Sequence, residues 1–147
     1  MVTKEQVIKF MAAEFPQSKC LVEAVSEGSS IIRHRGGVGE LRPGGTVSGP
    51  VMMTVADVAL YVAMFQQIGI TPLAVTTSLT VNFLRKPSSD KDILGICRLI
   101  KVGKSLVYGE VTLYSEGSDD PVAHAVGTYS IPGARQSKAE GSSRNPE

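Results

Sequence analysis

One carboxylate stands inside the most apolar stretch of this chain, and it is the residue best placed to do chemistry. Asp57 lies in the segment PVMMTVADVALYVAMF, where Thr54 is the other strongly polar side chain. A helix that is apolar almost all round is a buried helix, and a buried carboxylate is costly unless it is paired or used. Thr54, Asp57 and Tyr61 follow one another at i, i+3 and i+7 and so share one side of the helix. We therefore expect the functional site on that side.

The residues around this stretch mark the two ends of a long helix over 50–69. Pro50 suits the first helical position, where its missing N–H is not needed, with Ser48 or Gly49 as the N-cap. Gly69 suits the stop, and Pro72 follows shortly after it. The first turn of such a helix offers free N–H groups and a positive dipole end, which stabilise an oxygen that gains negative charge. Glycine at position 49 lets a ligand approach that backbone closely.

The rest of the chain predicts strands that surround this helix. A short amphipathic helix is expected over 3–14, from a capping box of Thr3 with Gln6. Strands are expected over 19–26, 29–35, 73–86, 92–102, 105–115 and 121–131, with turn residues between them. In the segment 73–86, the alternation places Val75, Thr77, Leu79, Val81 and Phe83 on one face and Thr76, Ser78, Thr80 and Asn82 on the other. The order predicts an α+β fold in which an antiparallel sheet is wrapped on the long helix.

Composition bounds the possible functions. With 147 residues the chain is expected to form one domain over 1–132, and the polar segment 133–147 is expected to be a disordered tail. The net charge of +1 gives no reason to expect nucleic acid or an anionic membrane as a partner. Cys20 and Cys97 fit no metal or redox spacing. The first residues lack the apolar run of a secretory signal, so we expect a cytoplasmic protein with no membrane span.

Three segments carry a resemblance to a known family: GTVSGPVMMTVADVA, LTVNFLRK and KVGKSLVYGEVTLY. Over residues 20–131 the chain resembles the hot-dog-fold acyl-CoA thioesterases of the phenylacetate-pathway (PaaI-like) type. The family pattern N-P-x-G-T-x-H-G-G, followed by an apolar helix with L-A-D, falls without a gap on residues 42–50 and 55–57. Arg42 then stands where the family has Asn, Ser48 where it has His, and Pro50 where it has the second Gly.

The resemblance implies a fold, an activity and a set of site residues. Asp57 would be the catalytic carboxylate, acting as nucleophile or general base on a CoA thioester. The N–H of Gly49, eight positions earlier, would polarise the thioester carbonyl, with Ser48 beside it. Thr76 falls where some relatives place a Ser or Thr from the neighbouring subunit, and it is predicted to contact the acyl-CoA substrate. Independently of the resemblance, the positive charges of Arg42, Arg85 and Lys104 predict contacts with that substrate. No metal or cofactor is implied, and the family forms homodimers or homotetramers with the active site at the dimer interface.

Other interpretations of the same residues stay open at this point. Asp57 can be a buried structural acid paired with Arg or Lys, Gly49 and Ser48 can be plain caps, and Thr76 an ordinary strand residue. The second functional class is a hot-dog protein that binds acyl-CoA or another acyl ligand without hydrolysing it. Hydratase chemistry usually uses a His with an acid, and the loop–helix element lacks that His. His34 and His124 have no evident partner in sequence and are predicted to be structural or surface residues.

Overall fold

A six-stranded antiparallel sheet and one 20-residue helix form the frame of the protein. The computed structural model describes residues 2–36, 41–42, 46–47, 49–88 and 90–132, with backbone alone for 41–42 and 46–47. In chain order the elements are α1 (Lys4–Glu14), β1 (Cys20–Ser26), β2 (Ser29–His34), β3 (Leu41–Arg42), β4 (Thr46–Val47), α2 (Gly49–Ile68), β5 (Val75–Phe83), β6 (Ile93–Val102), β7 (Leu106–Ser115) and β8 (Ala123–Ser130). The main sheet has the order β1-β2-β6-β7-β8-β5. This confirms the predicted α+β fold with an antiparallel sheet against the long helix.

The long helix α2 begins and ends within one residue of the predicted bounds, 50–69. It is helical from Gly49, and the residue after its end, Gly69, has a φ of 90° and donates its N–H to the carbonyl of Phe65 at 2.8 Å. Glycine adopts this left-handed conformation without strain, so it ends the helix cleanly. By length and composition α2 could cross a membrane, but its most apolar residues are packed inside the protein, as in a core helix.

The helix lies close to the sheet because three neighbouring strands, β6, β7 and β8, carry glycine beneath it. A Cβ atom at Gly95 of β6 would lie 2.7 Å from Cγ1 of Val55, and one at Gly127 of β8 would lie 2.6 Å from Cδ1 of Leu60. Real Cβ atoms do not come this close to a neighbour, so larger residues would push the helix and sheet apart. The distance between α2 and the sheet is therefore set partly by these glycines.

The N-terminal helix α1 covers one side of the core beside β1. Its predicted capping box is present: the Gln6 N–H donates to Thr3 Oγ1 at 3.1 Å, and the Thr3 N–H donates to Gln6 Oε1 at 2.8 Å. The apolar side of α1 meets α2, where the ring of Phe10 lies edge-on to that of Phe65 with centroids 5.3 Å apart. With the contact of Phe15 and Tyr61, this contact holds the end of α1 against the C-terminal half of α2.

The edge strand β5 departs from the predicted alternation. Its register with β8 shifts between Thr76 and Ser78, so that one residue, Thr77, is extra on the β5 side. A bulge of this kind changes which residues share a face. Thr76 therefore lies on the helix side together with Leu79, and the prediction that it lies on the opposite face is wrong. Simple alternation does not contain this information because a bulge interrupts the two-residue period.

Some predicted features lie elsewhere or outside the described residues. The glycine-rich loop carries a two-residue antiparallel pairing, β3 with β4, that the sequence did not predict. The predicted strand over 73–86 is shorter in the structure, since β5 spans Val75–Phe83. Ser48 and the predicted tail over 133–147 are outside the described residues.

Candidate active site

Asp57 lies at the border between the buried and the open sides of α2. Its side chain is partly exposed, whereas its neighbours Val55 and Ala56 are fully buried. Thr54 and Tyr61 line the same pocket as Asp57, so the predicted grouping of these three on one side is confirmed. The expectation that the helix is buried all round is wrong, because Met53 on the open side is 41% exposed. Met53 and Thr54 on this side share a small pocket with residues of β5, the last strand of the sheet.

Thr76 contacts the carboxylate directly. Its Oγ1 donates a hydrogen bond to Asp57 Oδ1 at 2.7 Å. The bulge in β5 makes this bond possible, since it turns Thr76 toward the helix. Thr76, which the sequence predicted as a substrate contact, is therefore a hydrogen-bond donor to the carboxylate in this structure.

Tyr129 of β8 donates to the same carboxylate oxygen. Its Oη lies 2.7 Å from Asp57 Oδ1 and 3.2 Å from the Asp57 carbonyl oxygen. Burial, and then the charge of Asp57, raise the pKa of Tyr129, so that it stays protonated and remains a donor at neutral pH. Sequence reasoning missed this residue. The signal was present in the alternation of β8, which places Tyr129 on the helix side with Ala125 and Gly127.

A pocket of about 870 Å³ opens in front of this carboxylate. Its wall is largely apolar and aromatic, from Met11 and Phe15 at the end of α1 to Val58 and Tyr61 on α2. The rings of Phe15 and Tyr61 meet edge-on at 5.9 Å, and those of Tyr61 and Tyr129 are stacked at 5.7 Å. The volume and the lining are typical of sites that bury a small organic ligand and orient it with a few polar groups.

A second polar group of side chains lines the same pocket at the start of β1 and the end of β2. It includes Ser18, Cys20 and His34, and His34 is only 6% exposed. Burial raises the pKa of the Cys20 thiol to about 11, so it is protonated and a poor nucleophile at neutral pH. His34 was predicted to be structural or surface; it is buried and also lines the pocket.

Gly49 and Asp57 are not brought together within one chain. Both lie on α2 and are eight residues apart, which is roughly 12 Å along the axis at 1.5 Å per residue. Gly49 instead lies beside the far end of β5, where a Cβ atom on it would be 3.3 Å from Cζ of Phe83. A single thioester group cannot contact the Gly49 N–H and the Asp57 carboxylate of the same chain at once.

Two of the other predicted substrate contacts, Arg85 and Lys104, do not line this pocket. Arg85 follows β5 at the end away from Thr76, and its guanidinium is paired with Asp120. Lys104 is exposed in the turn between β6 and β7. Arg42 is described by its backbone in β3 alone. Within the described parts of the chain, no three His, Cys, Asp or Glu side chains are grouped as metal ligands.

Comparison with known proteins places this arrangement in a family. The model of the thioesterase superfamily matches residues 44–122, more than half of the 147-residue chain. The chain belongs to the thioesterase superfamily. The matched region includes α2 with Asp57 and extends to the start of β8. No curated protein sequence matches the chain.

Solved structures of similar proteins agree with the assignment of a hot-dog fold. A candidate thioesterase from Silicibacter sp. TM1040 is 41% identical, with a TM-score of 0.81 over 90% of this chain and 93% of that one. The Escherichia coli PaaI protein of the phenylacetic acid degradation operon is 17% identical, with a TM-score of 0.76 over 87% and 92%. A Streptococcus mutans UA159 protein bound to acetyl-CoA is 19% identical, with a TM-score of 0.68 over 78% and 90%. The last two likenesses establish the fold alone.

Proposed function

We propose that this protein hydrolyses acyl-CoA thioesters and that Asp57 is its catalytic carboxylate. The observation that carries the proposal is the environment of Asp57: a partly exposed carboxylate on the wall of an apolar pocket, with Oδ1 held by two neutral hydroxyl groups at 2.7 Å. In the hydrogen bonds described for this carboxylate, the donors are these two hydroxyl groups and not an Arg or a Lys. A carboxylate in this position can act on a carbonyl carbon that an apolar acyl group brings into the pocket.

Hydrolysis needs a donor for the carbonyl oxygen as well as the carboxylate. The N–H groups in the first turn of α2 have no partner within the helix, and that of Gly49 is the one the family resemblance indicates. Because Gly49 and Asp57 of one chain are roughly 12 Å apart, we infer that the two groups at one thioester come from two copies of the chain. This requires a dimer in which the start of one α2 faces the middle of the other.

The sheet provides a suitable dimer contact. Strand β5 is the last strand of its sheet, and it is nine residues long with Val75 and Phe83 about half exposed. A free edge of this length pairs readily with another strand. A two-fold axis near Leu79 would make two β5 strands antiparallel neighbours, with Phe83 of one copy opposite Thr76 of the other.

That pairing would also assemble the active site. Gly49 lies beside Phe83, and Asp57 is bonded to Thr76. Antiparallel pairing of two β5 strands therefore carries the Gly49 N–H of one copy toward the Asp57 carboxylate of the other. We propose a homodimer of this kind, alone or doubled to a homotetramer.

Asp57 can act in hydrolysis by either of two mechanisms. As a general base it takes a proton from water, whose oxygen attacks the thioester carbon; the C–S bond then breaks, and Asp57 passes this proton to the leaving CoA thiolate. As a nucleophile its carboxylate oxygen attacks the carbon directly, CoA leaves as the thiol after taking a proton from solvent, and water then hydrolyses the acyl-aspartyl anhydride. In both, the carbonyl oxygen becomes negative at the Gly49 N–H, and such donors are worth about 10²–10³ in kcat.

Activity against a panel of acyl-CoA substrates tests the proposal, with release of free thiol as the measurement. The panel should include short, medium and aromatic acyl groups, because the pocket is apolar and about 870 Å³ in volume. Asp57→Asn removes the anion but keeps the size, so it should abolish thiol release while the protein stays folded and binds acyl-CoA. Ser48→Ala should reduce activity less, since its hydroxyl is at most one of several donors. Thiol release by Asp57→Asn at the wild-type rate would rule out this mechanism.

A non-hydrolytic acyl-binding protein is the second candidate. It is favoured by two residues of the loop, since Arg42 and Ser48 stand where the family pattern has Asn and His. Saturable binding of acyl-CoA without thiol release across the whole panel would support this function. The same panel therefore separates the two candidates.

A further inference from the structure

We propose that Tyr129 is a positioning residue that, together with Thr76, fixes the Asp57 carboxylate so that Oδ2 faces the substrate. This inference rests on the proposed hydrolysis. Both hydroxyl groups donate to one oxygen, Oδ1, at 2.7 Å each. No described residue donates to Oδ2.

The geometry leaves the two oxygens of Asp57 with different tasks. Each carboxylate oxygen has two acceptor positions in its plane, and on Oδ1 both are taken by Thr76 and Tyr129. Among the hydrogen bonds of the described residues none ends on Oδ2, so we assign Oδ2 as the oxygen that meets the substrate, and the Asp57 side chain lines the pocket. A group that reacts with water or a thioester must be held in a narrow range of orientations, and two short bonds to one oxygen restrict rotation of the carboxylate.

Tyr129 is suited to this task because its own position is fixed. It is 4% exposed, its ring is stacked on Tyr61 at 5.7 Å, and Tyr61 donates its hydroxyl to the Pro72 carbonyl at 3.2 Å. A rigid ring delivers its hydroxyl to one place, whereas Thr76 comes from a bulged edge strand. The buried tyrosine therefore sets the orientation of Asp57 independently of the strand that we propose for the dimer contact.

The test compares kcat and KM of the wild type with those of Tyr129→Phe and Thr76→Val. Phenylalanine keeps the ring and its packing and removes the hydroxyl alone. We expect kcat to fall about ten- to hundredfold, the range for a hydrogen bond to a charged group, while KM and the affinity for a non-hydrolysable thioether analogue of the best acyl-CoA stay within about threefold. Tyr108→Phe is the matched control, because Tyr108 is on the outer face of the sheet and 40% exposed.

A double variant separates positioning from a general effect on structure. Since Thr76 and Tyr129 hold the same oxygen, we expect Tyr129→Phe and Thr76→Val to be non-additive in kcat, whereas Tyr108→Phe should combine additively with either. Unchanged kcat in Tyr129→Phe, or a loss confined to KM, overturns the inference. If Tyr129→Phe does not fold, an unchanged kcat in Thr76→Val is enough to overturn the inference that hydrogen bonds to Oδ1 fix the carboxylate. A wild type that releases no thiol from any substrate refutes the proposed function and the inference with it, whereas an active wild type with an equally active Tyr129→Phe refutes the inference alone.

Discussion

Two inactive variants should restore activity to each other if the active site is shared between subunits. Gly49→Pro removes the N–H that we assign to the carbonyl oxygen, and Asp57→Asn removes the carboxylate. Proline is tolerated in the first turn of a helix, where Pro50 already stands. Each variant alone should fold and form dimers, and each should be nearly inactive.

The magnitude follows from the length of the helix between the two residues. Reacting atoms must approach to about 3–3.5 Å, but Gly49 and Asp57 of one chain are roughly 12 Å apart along α2. If each site uses one residue from each subunit, a mixed dimer has one site with both defects and one with neither. Random mixing in equal amounts makes about half of the dimers mixed, so about a quarter of the sites are intact.

The assay is thiol release after the two variants are mixed, either by co-expression with different tags or by unfolding and refolding together. Gly49→Pro alone should lose about 10²–10³ in kcat, the usual effect of deleting an oxyanion donor. Gly49→Ala is the matched control, because it keeps the N–H and adds a methyl group 3.3 Å from the outer edge of the Phe83 ring, which can move slightly. The purified mixed dimer should have about half the wild-type activity.

Three results would contradict a site shared between subunits. If the site were built within one chain, every site in a mixed dimer would carry one defect, and mixing would restore nothing. Equal activities of Gly49→Pro and Gly49→Ala would show that the N–H at this position is not used. Light scattering on the wild type that gives a monomer at micromolar concentration would refute the shared site directly.

Three further outcomes concern stability and the thiols. Gly95→Ala should destabilise the fold by about 1–3 kcal/mol, because its methyl group would meet Val55 at 2.7 Å; in a Val55→Ala background, urea unfolding should show little further loss. The Gly36 N–H and the Arg33 guanidinium lower the pKa of Asp92. The stability that this carboxylate adds is therefore present at neutral pH and is lost as pH falls below roughly 4. In thermal unfolding from pH 7 to pH 3, the Tm of Asp92→Asn should fall less than the Tm of the wild type. Burial raises the pKa of Cys97 to about 12, so this thiol should react with an alkylating reagent at pH 8 only after unfolding. Mass spectrometry that finds alkylated Cys97 in the native protein would contradict this prediction.

Much of the frame of this protein is determined by local features of its sequence. The ends of α2 follow from Gly69 and the Gly-Pro start, and the capping box of Thr3 with Gln6 fixes the start of α1. Alternation and turn residues predict the strands to within a few positions. The grouping of Asp57 with Thr54 and Tyr61 also follows from helix geometry alone. These features are local, so they can be read without knowing which segments meet in space.

The partners of Asp57 were decided by tertiary structure. Tyr129 is 72 positions from Asp57 in the chain, and nothing in the local sequence of β8 says which helix residue its hydroxyl reaches. Thr76 faces Asp57 because of a bulge, which arises from the pairing of β5 with β8 and breaks the period that alternation assumes. The separation of Gly49 and Asp57 was implicit in the helix, yet the contact of Gly49 with Phe83, which points to a second subunit, depends on the packing of α2 against the edge strand. Long-range pairing and packing therefore determined the site, while short-range propensities determined the elements that carry it.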